Sequence, residues 1–170
     1  MIKRIGIIVG RFQVSKLHAG HKHLISEALK NFDEVHIFLG CTKGNYIDKR
    51  NPLPPAARAT MILEEFPQLY EKIHEIEDVG NWPVWVKNLD SLLELLDQEN
   101  TKISIVGSRD SVAERYESFG GKYSSTYIPE IPELSGTKSR EEISNSFMPV
   151  WDMRERNLAI WLTSNMINND

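Results

Sequence analysis

The chain of 170 residues carries a single cysteine, Cys41. One thiol excludes an intrachain disulfide and a thiolate metal cage, and it points to a reducing compartment. A dominant charge is missing too: 20 basic against 24 acidic residues leave −4 with histidine neutral. A mildly acidic chain has no overall field that draws in nucleic acid, so any anion it binds must be held by a local cluster of cations. No apolar run approaches the roughly 18 residues of a transmembrane helix. Met1-Ile2-Lys3-Arg4 passes directly into Ile5-Gly6-Ile7-Ile8-Val9, a run too short for a signal-peptide core and without a small-residue cleavage site behind it. Repeats and low-complexity tracts are absent as well. The expectation is a cytoplasmic protein with neither membrane nor nucleic acid as partner. What is present is ordinary for one globular domain, with 41% hydrophobic and 26% charged residues.

The hydrophobic period alternates between strand and helix. Ile5 to Val9 is continuously apolar, as a strand buried on both faces must be. Leu24, Ile25, Ala28, Leu29 and Phe32 then recur at helical spacing, and Val35 to Leu39 reads as a second strand. Pro54-Pro55 opens a helix, since proline is tolerated in a first turn. Lys72–Ile76, Lys102–Val106 and Lys122–Ile128 read as further strands. Helices are predicted over Val84–Leu96, over Asp110–Phe119 with Asp110 or Ser111 as cap, over Thr137–Phe147 and over Arg154–Ile167. Such alternation predicts a doubly wound, Rossmann-like, mostly parallel five-stranded α/β sheet with C-terminal helices, in one domain. In that architecture ligands bind beyond the carboxyl ends of the strands, so the segments just after each strand are the ones to examine.

After the first strand comes Gly10-Arg11-Phe12-Gln13-Val14-Ser15-Lys16-Leu17-His18-Ala19-Gly20-His21. It is neither a Walker loop nor a dinucleotide GxGxxG fingerprint. It is a glycine-flanked turn with two basic residues and two histidines, leading into a helix start. Unpaired N–H groups and the positive end of a helix dipole favour a phosphate there, and Gly20 lets backbone approach it closely. Two imidazoles three positions apart in a first turn can address one phosphoryl group. The bland alternative, surface histidines at a helix start, is the reading given to His23 and His36. A zinc site is the other, but no third ligand lies nearby in sequence.

Taken whole, Gly10-Arg11-Phe12-Gln13 followed by His18-x-Gly20-His21 resembles the GRFQPxHxGH signature of nucleotidylyltransferases, especially archaeal-type nicotinamide-mononucleotide adenylyltransferases. The resemblance covers roughly residues 1 to 145. One departure is the spacer: the family has two residues between Gln and the first His, whereas Val14-Ser15-Lys16-Leu17 makes four, so the loop must bulge. Ser135-Gly136-Thr137-Lys138-Ser139-Arg140 is similar to the family's ISSTxxR motif, which holds a triphosphate at a helix start. Lys138 and Arg140 would oppose that helix's dipole unless an anion sits nearby. Asp78-Val79-Gly80-Asn81-Trp82-Pro83-Val84-Trp85-Val86 resembles the family's DINRYxxWV segment. That likeness implies Trp85 as a platform stacking on a pyridine ring, with Asp78 as its polar partner and Trp82 at a tyrosine position. A pyridinium suits an aromatic face, although Trp85 is also spaced as a core residue. Asn51-Pro52-Leu53-Pro54-Pro55-Ala56-Ala57-Arg58 is similar to NPFxxxER, with Arg58 directed at the mononucleotide phosphate and Ala57 replacing the glutamate. Gly107-Ser108-Arg109-Asp110 stands where the family binds adenosine. Trp151 and Trp161 have no motif around them.

The resemblance implies attack by a mononucleotide phosphate on the α-phosphorus of ATP, with His18, His21 and Arg140 as catalytic residues and NAD and pyrophosphate as products. Gly10, Arg11, Phe12, Gln13, Lys16, Gly20, Gly107, Arg109, Asp110, Ser135, Gly136, Thr137 and Lys138 would line the ATP side. Arg58, Asp78, Trp82 and Trp85 would line the mononucleotide side. Magnesium would arrive on the ATP phosphates, with no protein-only metal cage, and a homo-oligomer is in keeping with such relatives. Rival acceptors are nicotinate mononucleotide, flavin mononucleotide and phosphopantetheine. Cytidylyltransferases carry an RTxGISTT string, which is absent. From another class, a non-catalytic nucleotide sensor of the same fold would need fewer placed donors than two histidines and Arg140 supply.

Overall fold

Ile5-Gly6-Ile7-Ile8-Val9 forms the middle of a sheet because side chains from both of its faces find an apolar layer to enter. The computed structural model describes residues 1–108 and 111–129. Among them are strands β1 (Lys3–Gly10), β2 (Glu34–Cys41), β3 (Ile73–Glu77), β4 (Thr101–Gly107) and β5 (Ser124–Tyr127). They pair in the order β3-β2-β1-β4-β5, and every pair is parallel. Between them run helices α1 (Ala19–Asn31), α2 (Pro55–Glu65), α3 (Trp82–Leu93) and α4 (Val112–Ser118). Helices α1 and α2 bring Ile25, Ala28 and Ile62 onto Ile8, Ile37 and Leu39 on one face. On the other, α3 and α4 bring Val86, Leu89, Leu93, Ala113 and Tyr116 onto Ile5, Ile7, Ile103 and Ile105. Each fully buried Ile or Leu contributes roughly 1.5–3 kcal/mol, so two such layers hold the expected doubly wound sheet. No helix among the described residues is long and apolar enough to cross a membrane.

Most element ends shift by one to three residues from expectation, and two of the shifts have a clear local reason. Helix α3 starts at Trp82, two residues earlier than its apolar period suggests. Asn81 caps it by accepting the Val84 N–H at 3.1 Å, and Pro83 occupies a first-turn position where a missing N–H costs nothing. Strand β5 is shorter than Lys122–Ile128. A Cβ on Gly121 would lie 2.1 Å from Cζ of Tyr116, so the chain must cross a fully buried ring before joining the sheet. The Lys122 N–H then goes to Asp90 Oδ2 at 3.1 Å and the Tyr123 N–H to the Tyr116 hydroxyl at 2.9 Å, neither to a neighbouring strand. The helices predicted over 137–147 and 154–167 lie outside the described residues.

His36 is not the surface helix-start residue expected but a buried member of β2. Its Nε2 meets Glu34 Oε1 at 2.6 Å and its Nδ1 meets His74 Nε2 at 2.8 Å, while Glu34 also pairs with Lys3. Lys3, and then His36, hold the Glu34 carboxyl down at about 2, from an ordinary 4.5, against the opposing effect of burial. Burial, and then His36, lower the imidazole of His74 from its ordinary 6.5. The two signs agree. Glu34 stabilises the fold fully above about 4.5 and loses that contribution as pH falls toward 2. His74 folds best neutral, so its contribution is complete above 6.5 and shrinks as pH falls below it. Urea midpoints should therefore decline in two stages on acidification, and Glu34→Gln should abolish the lower stage alone. A single step unaffected by that substitution would contradict the chain of contacts. All four groups sit on the first residues of β1, β2 and β3, away from the strands' carboxyl ends.

Candidate active site

The neighbours of β1 are β2 on one side and β4 on the other, and the helices that follow β1 and β3 cover opposite faces. The carboxyl ends of β1 and β4 therefore flank the crevice at which open α/β sheets bind ligands. The loop after β1 enters it under constraint. Phe12 adopts φ 51°, in the left-handed region that costs a non-glycine residue about 1–3 kcal/mol. This folds its ring back over the strand end, where a Cβ on Gly10 would lie 2.9 Å from the ring. The ring is buried and sits 4.9 Å from that of His21. The four-residue spacer does bulge: Val14 and Leu17 are buried in the core, and Ser15 and Lys16 project to the surface between them.

His18 is the N-cap of α1. Its Nδ1 accepts the backbone N–H of Gly20 at 3.1 Å and of His21 at 3.3 Å. A backbone N–H can only donate, so Nδ1 is unprotonated and the ring's proton resides on Nε2. His21, one turn on, stacks against it with centroids 3.7 Å apart and planes 18° apart. The HxGH spacing thus places two parallel imidazoles at the positive end of a 13-residue helix.

Three polar side chains from the loop and from α2 bind the strand ends together. Gln13 is 1% exposed, and its amide pairs in both directions with Leu53: Nε2 donates to the carbonyl at 3.0 Å, and Oε1 accepts the N–H at 2.9 Å. Its role in the structure is to join the β1 loop to the segment before α2. Arg58, 2% exposed on α2, donates through Nη1 to the carbonyls of Arg11 at 2.6 Å and Gly40 at 2.8 Å, and through Nη2 to Cys41 Sγ at 3.4 Å. Burial pulls its guanidinium below the ordinary range, opposed by Cys41 and Glu75. Among the described residues it forms no ion pair, and its Nε has no hydrogen-bond partner. Burial raises the Cys41 thiol, which keeps it protonated and disqualifies it as a nucleophile at neutral pH. Arg11 reaches out to Asn51 and Asp78, on the loop after β2 and at the end of β3.

The two tryptophans expected on the mononucleotide side are set deeper than the motif suggests. Trp85 is 8% exposed within the α3 layer, edge-on to Trp82 with centroids 5.4 Å apart. Trp82 is half-buried; it lies parallel to Phe119 at 6.0 Å and beneath the guanidinium of Arg115 at 5.7 Å. Gly107 ends β4 where a Cβ would lie 2.5 Å from Ser111 Oγ, the cap of α4, so the strand end and the helix start approach each other closely. Arg109, Asp110, Ser135, Gly136, Thr137, Lys138 and Arg140 lie outside the described residues. The fold thus assembles Gly10, Arg11, Phe12, His18, Gly20, His21 and Asp78 around the carboxyl ends of β1 to β3, with Gln13 and Arg58 beneath them. Asp48 was not singled out in the sequence, and Asn51 was quoted only as the first residue of the stretch that ends at Arg58, without a role of its own.

Comparison with known proteins agrees with this architecture. The model of a family described as cytidylyltransferase-like matches residues 7–142. A nicotinamide-nucleotide adenylyltransferase of Halorubrum lacusprofundi is 29% identical over 94 residues, 54% of this chain and 52% of that protein. One of Caldivirga maquilingensis is 27% identical over 157 residues, 86% of each chain. The crystal structure of a bifunctional NMN adenylyltransferase/ADP ribose pyrophosphatase from Francisella tularensis superposes with a TM-score of 0.66 at 24% identity, covering 85% of this chain and 43% of that one. The chain therefore spans about half the length of the Halorubrum protein and less than half of the Francisella chain.

Proposed function

The chain belongs to the cytidylyltransferase-like family, and from that premise we propose that it transfers the adenylyl group of ATP to nicotinamide mononucleotide, giving NAD and pyrophosphate. The observation that carries this is the stacked pair His18 and His21 at the start of α1, its tautomer set by the helix it caps. In the proposed reaction an oxygen of the acceptor's phosphate forms a bond to the α-phosphorus. The bond from that phosphorus to the oxygen bridging to the β-phosphorus breaks, and pyrophosphate leaves with the electron pair. The attacking oxygen is already ionised, so no general base is needed; catalysis consists of positioning and of stabilising charge that shifts onto the leaving oxygens. His18, through Nε2–H, and His21 serve as donors to the α- and β-phosphate oxygens, with the α1 dipole behind them. Arg11 and Lys16 supply positive charge.

Arg58 is assigned a field rather than a contact. Its buried charge has no ion-pair partner among the described residues, and an anion above the Arg11 and Gly40 carbonyls would be stabilised by it. Arg140, Lys138 and the hydroxyls of Ser135 and Thr137 are proposed to complete the phosphate site, with Gly136 as their turn and with Arg109 and Asp110 beside the adenosine. Trp85 and Trp82 form the wall against which the pyridine would lie. Magnesium belongs to the nucleotide in this scheme: the imidazoles and guanidinium of the described site suit phosphate oxygens rather than a cation. When bound it would neutralise charge on the phosphate chain.

The deciding experiment supplies ATP with nicotinamide mononucleotide, nicotinate mononucleotide, flavin mononucleotide or phosphopantetheine in turn, and CTP in place of ATP with the first. Pyrophosphate and the nucleotide product are measured. Formation of NAD from ATP at a rate well above the other pairs is expected. Product from another acceptor would transfer the assignment to it, and product from none would leave a nucleotide sensor of this fold.

A further inference from the structure

Arg11 is gripped from two sides by groups that are themselves fixed. Nη1 donates to Asn51 Oδ1 at 3.0 Å and Nη2 to Asp78 Oδ2 at 2.6 Å. Asn51 is buried, and its Nδ2 donates to Asp48 Oδ1 at 3.1 Å, which sets the amide so that Oδ1 must face Arg11. The same Asp48 oxygen accepts the backbone N–H of Asn51 at 2.7 Å and of Arg50 at 2.8 Å, so the whole turn is tied to one carboxylate. On the other side, Asp78 Oδ1 accepts the Gly80 N–H at 3.0 Å across a turn in which Gly80 has φ 66°, and the Asp78 N–H donates to the Cys41 carbonyl at 2.7 Å. Both oxygens of Asp78 are thus engaged, one by the turn and one by Arg11. The backbone at Arg11 is anchored as well, through Arg58.

A guanidinium carries five N–H hydrogens in a planar fork. The two bonds take one from each terminal nitrogen and leave three, on Nε, Nη1 and Nη2. We propose that Asn51 and Asp78 are positioning residues for Arg11: they hold its guanidinium so that the remaining N–H groups face the phosphate oxygens of the bound nucleotide. Its substrate, though not its geometry, rests on the adenylyl-transfer reading. In this role Asp78 is not the polar partner of a pyridine ring. The physical need is clear: the Arg11 side chain is 48% exposed, and an unheld arginine would lose its rotamer freedom on binding. Two anchors remove that cost before the substrate arrives.

The test is a pair of double-mutant cycles. Asn51→Ala and Asp78→Asn are made alone and on Arg11→Ala, with melting temperature measured alongside kcat and KM for ATP. Asp78→Asn keeps an oxygen for the Gly80 N–H while dropping the charge, so it decides the matter by itself if Asn51→Ala does not fold. Each single variant should lower kcat about tenfold, the effect of one lost charge-assisted hydrogen bond. On Arg11→Ala, each should change kcat by less than about twofold, because there is no guanidinium left to place. An equal loss with and without Arg11 would overturn the proposal, as would tighter ATP binding with kcat unchanged in Asp78→Asn, the signature of a mere counter-charge. If wild type turns over no acceptor, adenylyl transfer fails on its own. The same cycles, read by calorimetry as affinity for α,β-methylene-ATP, then decide the positioning role: about tenfold weakening that vanishes without Arg11 supports it, and additive weakening overturns it.

Discussion

His18→Ala should lower kcat on the order of 10²-fold or more, the usual cost of one oriented donor at a site of developing charge. It should also cost stability, because besides the donation proposed for Nε2 the ring caps α1 through Nδ1. Nδ1 accepts the Gly20 and His21 N–H groups and so closes the first turn of α1. An N-cap of this kind contributes about 1 kcal/mol, which corresponds to a few degrees of melting temperature. The tasks separate in His18→Asn. Asparagine caps helices well, and its Oδ1 can stand in for Nδ1, but its side chain is too short to bring a donor to the Nε2 position. Melting temperature should therefore return to the wild-type value in His18→Asn while kcat stays as low as in the alanine variant. Full activity in the asparagine variant would mean that only the cap matters, and His18 would leave the catalytic set.

Gln13→Leu should be the most disruptive single change in the site. It is nearly isosteric and leaves the buried position filled, so no large cavity complicates the result. What it removes is the partner of both backbone groups of Leu53, which is itself buried. Each orphaned group costs about 1–3 kcal/mol, so a loss of about 2–4 kcal/mol in urea denaturation is expected. Activity should fall too, by more than tenfold at temperatures where the variant is still folded. The segment released is the one that carries Asn51, and a displacement of about 1 Å in a positioning element is enough for such a loss. Stability within about 0.5 kcal/mol of wild type, the range of an ordinary surface substitution, would show that the clamp contributes nothing.

Local pattern revealed the β1 run, the HxGH helix start and the alternation of strands and helices because each is written within a few residues. Apolar side chains at period two or 3.6 report which face is buried, and the five-strand α/β architecture follows from their order. Contacts between distant residues leave no such trace. Gln13 and Leu53 are 40 positions apart, and nothing in either residue type specifies that a glutamine amide will be consumed by a backbone pair. Gln13 therefore read as a nucleotide-facing group, whereas in the structure both ends of its amide are bonded to Leu53. Arg58 was similarly directed at a phosphate by its motif, and it donates through Nη1 and Nη2 to two carbonyls and a sulfur. His36 was misread because a single histidine has no period; only the register of β2 with β3 brings His74 beside it. Trp85 illustrates the opposite case. Both of its possible roles were legible, and its 8% exposure gives weight to the packing role.

The bond from Arg58 to the carbonyls of Arg11 and Gly40 has a mechanical consequence. Parallel strands normally diverge beyond their last ladder bond, and the gap between them is where a cleft can breathe. Here a side chain from α2 rivets the tips of β1 and β2 across that gap. The loop after β1 and the segment after β2 cannot separate without pulling α2 along. The ends of β1 and β2 thus form one stiff frame with α2, and a ligand bound above them would meet a floor without a hinge between the two strand tips.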